Sequence, residues 1–165
     1  MPTHHHRPDF LIIGAPKAGS TSLWRYLRQH PSIYMPDLKE PNFFCDKGGR
    51  YPDWDRYDAH FADAAPNQVT GEASVAYSLV ERNPNTPGRI ADHLPAVRLL
   101  YIVRHPLERI ESAWQHHIYK HNDVPHDFGV AVRTFRELIE GTLYMRNLNR
   151  YREHLSDDQI KVLFL

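Results

Sequence analysis

The stretch that decides the fold is DFLIIGAPKAGSTSL, residues 9–23. Its first part, residues 9–14, is an apolar run that ends in glycine, which is typical of a buried parallel strand. Residues 20–30 then predict a helix that is capped by Ser20 or Thr21 and ended by a proline. A glycine-rich turn between such a strand and such a helix can present backbone N–H groups to an anion.

The rest of the chain repeats the alternation of strand and helix patterns. This order predicts an α/β fold in which a P-loop-like parallel β-sheet is flanked by helices. Ligands bind such sheets at the carboxyl ends of the strands, here residues 14–22 and 104–112. The final segment, residues 160–165, is predicted to be a buried strand, and we expect the fold to be incomplete at this C-terminal end. The other predicted strands are 32–35, 68–74 (ending near Gly71) and 97–103. The other predicted helices are a short one through Leu94 and those at 106–120, 128–140 and 144–155. Loops are predicted at 45–57 and 121–127.

The composition excludes several classes of protein. With 20 Lys and Arg against 20 Asp and Glu, the net charge is zero, so we expect a local anion site and no general attraction to nucleic acids or membranes. The single cysteine, Cys45, excludes an internal disulfide, and it shares no zinc-ligand spacing with the 12 histidines, so no metal is expected. No apolar run approaches the ~20 residues of a membrane-spanning helix. We therefore predict a cytoplasmic protein with a polar leader at 1–8 and one domain at 9–165.

The loop after the first strand differs from a nucleotide-triphosphate loop. Gly14 and Gly19 have the spacing of the Walker motif, but Ser20 stands where the lysine belongs and Lys17 lies between the glycines. No obvious carboxylate for magnesium follows. The loop therefore favours a compact anion, bound by backbone N–H groups, hydroxyl groups and one ammonium. Taken alone, it is equally compatible with an ordinary glycine-rich turn that carries a surface lysine.

A second motif follows the strand at 97–103. In YIVRHPLERIESAW (101–114), Arg104 comes directly after the strand and Ser112 lies about two turns into the next helix. Arginine suits bidentate binding of a phosphate, and a serine on the same helix adds a hydroxyl donor. The alternative is that Arg104 pairs with Glu108 while Ser112 bonds back to a helix carbonyl.

Together the two motifs resemble those of the sulfotransferases that use 3′-phosphoadenosine 5′-phosphosulfate (PAPS). The resemblance is closest to the heparan-sulfate and related glycan branch, and it extends over residues 9–165. Three further stretches are similar to segments of that family: KEPNFF (39–44), GEASVAY (71–77) and TLYMRNLNRYREHLSDDQIKVLFL (142–165). The resemblance also implies that the domain continues past residue 165, since family members carry a later basic loop over the nucleotide.

The resemblance implies a role for each motif. Lys17 would contact the bridging oxygen and the transferring sulfonate, and Arg104 with Ser112 would bind the 3′-phosphate. Glu40 would be the base that removes the acceptor's proton, although without the resemblance its sequence context favours a solvated loop acid; His105 and His116 are fallback candidates. The remaining implied contacts are Ala18, Gly19, Ser20, Thr21 and Ser22 for the donor and Lys39 and Ser74 for the acceptor.

The acceptor stays open at this point. Where heparan-sulfate enzymes carry a lysine in the third-strand segment, this chain has Glu72-Ala73-Ser74, so one active-site cation is missing. We expect a hydroxyl or amine of a carbohydrate or small molecule, with no metal required. Two alternatives remain: a non-catalytic module that binds adenosine 3′,5′-bisphosphate, and a P-loop kinase, which would depend on magnesium.

Overall fold

Five parallel strands form one sheet in the computed structural model, which describes residues 7–51 and 53–165. The order across the sheet is β2-β3-β1-β4-β5, so the first strand lies at the centre. The expected parallel sheet flanked by helices is confirmed. The strands are β1 (Phe10–Gly14), β2 (Ile33–Tyr34), β3 (Val69–Ala73), β4 (Arg98–Val103) and β5 (Ile160–Phe164).

Helices connect the strands and cover the sheet. The longest, α4 (Pro106–Lys120), begins with proline, whose fixed φ suits the first turn of a helix. The others are α1 (Ser20–Leu27), α2 (Trp54–Ala59), α3 (Thr86–His93), α5 (Phe128–Thr134), α6 (Glu137–Glu140) and α7 (Tyr144–Arg152), with short 3₁₀ helices at Val75–Ser78 and Asp157–Gln159.

The core is built around β1. All five residues of this strand are buried, because β3 and β4 pair with it on its two sides and helices cover both faces. An aromatic cluster closes the β3 side, where the rings of Phe43 and Tyr57 stack with centroids 4.2 Å apart. The centre of the sheet is therefore rigid, and the loops at its carboxyl edge start from fixed points.

Several expected boundaries differ from the structure. Helix α1 ends at Leu27, and the predicted helix at 128–140 is divided into α5 and α6 around Phe135. The prediction of a loop at 45–57 is wrong in its last part, where α2 begins at Trp54. Asp53 caps this helix by accepting a hydrogen bond from the Arg56 N–H. Strand β3 runs past Gly71 to Ala73.

The prediction of a buried strand at 160–165 is wrong in burial but right in type. β5 pairs with β4 in parallel, yet it is the edge strand and its residues are half-buried or exposed.

The first six residues of the predicted leader lie outside the described residues. Its last two residues contact the domain: Pro8 is buried, and the guanidinium of Arg7 lies 4.2 Å from the ring centre of Trp54.

Candidate functional site

A cleft of about 830 Å³ opens at the carboxyl edge of the sheet and collects most of the predicted site residues. Parallel α/β sheets bind ligands at this edge. The predicted residues that line it are Lys17, Gly19, Ser20, Thr21, Ser22, Lys39, Glu40, Arg104, Ser112 and the fallback base His116. Ala18, Ser74 and His105 do not line it.

The loop between β1 and α1 requires its glycines. Gly14 has φ 146°, and a Cβ there would lie 2.2 Å from the Ser78 hydroxyl oxygen, so no larger residue fits. Gly19, with φ 91°, is the residue before the helix, and its carbonyl accepts the first helical bond from the Leu23 N–H at 3.1 Å. The expected side-chain cap from Ser20 or Thr21 is therefore wrong, since glycine occupies the cap position and no side chain bonds there.

This arrangement leaves the start of α1 available to an anion. The N–H groups of Ser20, Thr21 and Ser22 belong to the first turn, which has no acceptors within the helix. All three residues border the cleft. The positive end of the helix dipole adds to their attraction for negative charge.

Ala18 lies beneath the loop. Its side chain is fully buried, and its N–H donates to the Ala15 carbonyl at 3.2 Å. The structure therefore gives Ala18 a part in shaping the loop and no position on the cleft wall.

Lys17 and His116 meet inside the cleft. The Lys17 Nζ lies 3.4 Å from the His116 Nδ1, which joins the loop to α4. Burial, followed by the charge of Lys120, lowers the pKa of Lys17. Burial also lowers the pKa of His116, with further contributions from Lys17 and Lys120. A neutral His116 can accept a hydrogen bond from the Lys17 ammonium.

The second predicted motif lies at the start of α4. The Arg104 Nε donates to the Glu108 carboxylate at 3.0 Å, so the expected alternative of an ion pair within the helix is present. Only Nε takes part in this bond, and the Tyr144 hydroxyl fixes the backbone by donating to the Arg104 carbonyl at 2.9 Å. Among the described residues the two Nη groups therefore remain for a ligand, and half-buried Ser112, on the helix that follows Arg104, lines the same cleft.

Glu40 is carried by an unusual turn that is tied to the end of β3. Glu40 and Asn42 have φ values of 62° and 54°, which are left-handed conformations that cost a non-glycine residue about 1–3 kcal/mol. Three hydrogen bonds hold the turn: the Glu40 N–H to the Ala73 carbonyl at 2.9 Å, the Val75 N–H to the Glu40 carboxylate at 2.8 Å, and the Asn42 N–H to the Ser74 hydroxyl at 2.9 Å.

Lys39 is the charged partner of Glu40. Its Nζ contacts Glu40 Oε1, and the two side chains are 17% and 27% exposed. Both residues border the cleft, so the pair presents one positive and one negative group to whatever binds there.

Ser74 and His105 occupy other positions than the resemblance implied. Ser74 is fully buried and its hydroxyl is engaged by Asn42, so the structure offers no direct route from Ser74 to an acceptor. His105 is the exposed residue that precedes α4. Of the two fallback bases, only His116 faces the cleft.

Sequence reasoning missed several basic residues of the cleft. Arg109, which is 2% exposed, lies one turn before Ser112 on α4. His117, Lys120 and His121 also border the cleft. Lys120 lies one helical turn after His116, and His121 follows His117 at the same spacing, so the spacing could have indicated that these residues share a face.

The described ranges 7–51 and 53–165 hold no group of three His, Cys, Asp or Glu side chains that could bind a metal ion. Within the same part of the chain, no helix is long and apolar enough to cross a membrane.

Relatives of known type share this architecture. The protein-family model "Sulfotransferase domain" matches residues 7–165. The membrane-associated sulfotransferase kil1 of Dictyostelium discoideum is 32% identical over 154 residues, which cover 88% of this chain and 31% of that protein. Heparan sulfate glucosamine 3-O-sulfotransferase 6 of Mus musculus is 26% identical over 94% of this chain and 44% of its own length. The chain thus spans less than half the length of these relatives.

Solved structures agree with the sequence relatives. The crystal structure of a sulfotransferase from Alicyclobacillus acidocaldarius superposes with a TM-score of 0.83 at 31% identity, over 96% of this chain and 73% of that one. The sulfotransferase domain from the curacin biosynthetic pathway, at 16% identity and a TM-score of 0.68, shares the fold. Since the family model matches residues 7–165, which is nearly the whole chain, the chain belongs to the sulfotransferase family.

Proposed function

We propose that this domain transfers a sulfonate group from PAPS to a hydroxyl or amine of a carbohydrate or small molecule. The observation that carries the proposal is the cleft itself, which brings together Lys17, the free first turn of α1, the Arg104–Ser112 pair and Glu40. These groups lie at the ends of three neighbouring strands, with Glu40 tied to the end of β3, and their chemistry suits the two phosphates of a doubly phosphorylated nucleotide.

The residues present fit such a donor. The backbone N–H groups at Ser20–Ser22 suit a 5′-phosphate, because unpaired N–H groups and the helix dipole both favour an anion. The free Nη groups of Arg104 suit the 3′-phosphate, with Ser112 as a hydroxyl donor. A site for this second phosphate would distinguish PAPS from ordinary adenine nucleotides.

Lys17 is proposed to stabilise the departing phosphate. The donor supplies the sulfonate, and adenosine 3′,5′-bisphosphate leaves as negative charge collects on its 5′-phosphate. An ammonium held at that oxygen stabilises the developing charge, an effect that is worth about 2–4 kcal/mol for a well-placed donor. The bond to His116 keeps the Lys17 side chain directed into the cleft.

Glu40 is the proposed base. Its carboxylate lies in the cleft and is fixed from two sides, by Lys39 and by the Val75 N–H. A base must be held within hydrogen-bond reach of the acceptor's proton, and this turn supplies a rigid support. His116 is a second candidate, because its lowered pKa favours the neutral imidazole that can accept a proton. Lys39 borders the same part of the cleft and is proposed to contact the acceptor.

The donor site is tested first, by isothermal titration of the purified chain. Adenosine 3′,5′-bisphosphate should bind more tightly than 5′-AMP, and magnesium should not be needed. A preference for ATP with magnesium would instead support a kinase, and the absence of any binding by folded protein would contradict the proposed donor site.

The chemistry is tested with Glu40→Gln, assayed for transfer of labelled sulfonate from PAPS across a panel of sugar and phenol acceptors. Turnover should be lost while bisphosphate binding is kept. Glu137→Gln is the matched control, since Glu137 is also a cleft acid but pairs with Arg82 at 2.9 Å. An unchanged rate in Glu40→Gln, together with a lost rate in His116→Gln, would transfer the base role to His116. Turnover by neither the wild type nor any variant, despite bisphosphate binding, would favour a non-catalytic binding module.

A further inference from the structure

Arg109 is a buried cation at the wall of the cleft. It lies on α4 between Arg104 and Ser112, is 2% exposed, and borders the cleft beside Pro16. A fully buried arginine is uncommon, because removing the guanidinium from water is costly unless its charge is balanced. The burial of this charge therefore needs an explanation, whereas an exposed arginine on a helix would need none.

The guanidinium donates to three groups in two separate parts of the chain. Its Nε donates to the Thr142 hydroxyl at 2.7 Å, Nη1 donates to the Pro16 carbonyl at 3.3 Å, and Nη2 donates to the Leu138 carbonyl. Pro16 immediately precedes Lys17, so one side chain links the anion-binding loop to α4 and to the segment around residue 140. The bonds are directional, and the planar fork of arginine makes all three at once.

No acidic side chain in the described ranges balances this charge. All three acceptors are neutral, and the ionisable groups that act on Arg109 are Tyr101 and Tyr144. The two acids of the cleft wall nearest in sequence to Leu138 are engaged elsewhere: Glu137 pairs with Arg82, and Glu140 pairs with Arg136 at 2.7 Å. The positive potential of Arg109 is thus directed at the back of the loop that is proposed to hold the 5′-phosphate.

We propose that Arg109 is a positioning residue for the 5′-phosphate loop: it fixes the backbone at Pro16, ahead of Lys17, and its unbalanced charge attracts the anionic donor from behind the loop. This inference rests on the proposed function. The bound phosphate is then the counter-charge that the described residues do not give Arg109, so donor binding and the stability of this part of the fold are coupled.

Two variants separate the charge from the geometry. Arg109→Met removes the charge and the three bonds. Gly141→Ala keeps the charge but displaces it, because a Cβ at Gly141 would lie 2.7 Å from Arg109 Nη1. The matched controls are Arg146→Met, an arginine on α7 outside the cleft, and Gly88→Ala on α3, where a Cβ would meet only His154 at an ordinary 3.4 Å.

The experiment measures Kd by titration with 5′-AMP, 3′-AMP and adenosine 3′,5′-bisphosphate, beside the melting temperature with and without ligand. Arg109→Met should weaken the binding of 5′-AMP and of the bisphosphate about tenfold, which is the effect of one nearby charge at intermediate dielectric. The binding of 3′-AMP should weaken by less than about threefold. Gly141→Ala should weaken 5′-AMP by about threefold through the displaced charge. Both variants should reduce the rise in melting temperature that bisphosphate produces, and the controls should leave it unchanged.

Three results would count against the inference, each in its own way. A lower melting temperature with unchanged Kd for 5′-AMP would make Arg109 a purely structural residue. Equal losses for 3′-AMP and 5′-AMP would remove the specific link to the 5′ loop. Should Arg109→Met fail to fold, an unaltered Kd in Gly141→Ala would overturn the proposal alone. Failure of the wild type to bind any of the three nucleotides would instead overturn the proposed function.

Discussion

Ser74→Ala separates two roles for this serine: contact with an acceptor, which its motif implied, and support of the Glu40 turn, which the structure favours. The substitution removes the acceptor of the Asn42 N–H, now bonded at 2.9 Å. Ser74 is fully buried and Asn42 is half-buried, so water has only limited access to this N–H group. Leaving a fully buried donor without a partner costs about 1–3 kcal/mol, so the loss here should lie at the lower end of that range.

The loss should also affect Glu40. Asn42 and Glu40 are both held at positive φ, and the bond to Ser74 is one of three that stabilise this conformation. With one bond gone, the turn can relax and move the carboxylate. A displacement of about 1 Å at a reacting group can lower the rate by as much as a hundredfold, so we expect kcat to fall by roughly ten- to a hundredfold.

The assay combines urea unfolding with sulfonate transfer at varied concentrations of one acceptor. Ser74→Ala should lose stability and kcat while the KM for the acceptor stays near the wild-type value. Thr86→Val is the control, because the fully buried Thr86 hydroxyl donates to the Phe44 carbonyl at 2.9 Å, away from the cleft. It should lose stability without the loss of kcat. A raised acceptor KM in Ser74→Ala, with stability and kcat intact, would refute the supporting role and restore direct contact.

Three other substitutions test the remaining assignments. Lys17→Ala should lower single-turnover rates by about 2–4 kcal/mol in activation free energy while bisphosphate binding changes little; a loss confined to binding would contradict the role at the leaving group. Arg104→Ala should weaken adenosine 3′,5′-bisphosphate and leave 5′-AMP nearly unchanged, as measured by titration, and equal weakening would exclude the 3′-phosphate assignment. Burial raises the pKa of Glu72 to about 7 from a model-compound value of 4.5, so its contribution to stability is complete below pH 4.5 and is lost as the pH rises through 7. Urea unfolding from pH 5 to 8 should show this decline, and Glu72→Gln should remove it; an identical pH dependence in the variant would contradict the assignment.

The parts that could be predicted from the sequence are those that depend on local geometry. The loop at Gly14–Ser20 was recognisable because two glycines, both of which have positive φ, follow an apolar strand at the spacing of a phosphate-binding loop. The approximate position of α4 followed from Pro106 and the strand before it. In both cases the signal lies within a few residues of the feature, so no distant contact had to be known.

The parts that escaped prediction depend on distant contacts. Arg109 reads as an ordinary surface residue of a helix, but its guanidinium is bound by the segment at Leu138–Thr142, about 30 residues later, and by the Pro16 carbonyl. Ser74 was assigned to the acceptor because the resemblance of its segment to the family implied that contact, but the sequence could not show that its hydroxyl accepts a hydrogen bond from the Asn42 N–H. The edge position of β5 was also inaccessible, because the strand order of the sheet is not encoded in an apolar run.

The order of the strands also arranges the proposed chemistry in a row. Glu40 is tied to the end of β3, Lys17 follows the central β1, and Arg104 follows β4, and these strands are neighbours in the order β3-β1-β4. A donor that spans Lys17 and Arg104 would therefore occupy the β1–β4 side, which leaves the β3 side for the acceptor.

In-line transfer requires the attacking oxygen or nitrogen and the leaving oxygen to be on opposite sides of the sulfur atom. A base in the turn tied to the end of β3 and a leaving group at β1 would meet that requirement without any rearrangement of the sheet, whereas His116, on α4 after β4, would have to reach the acceptor past Lys17. For this reason the strand order favours Glu40 over His116 as the base.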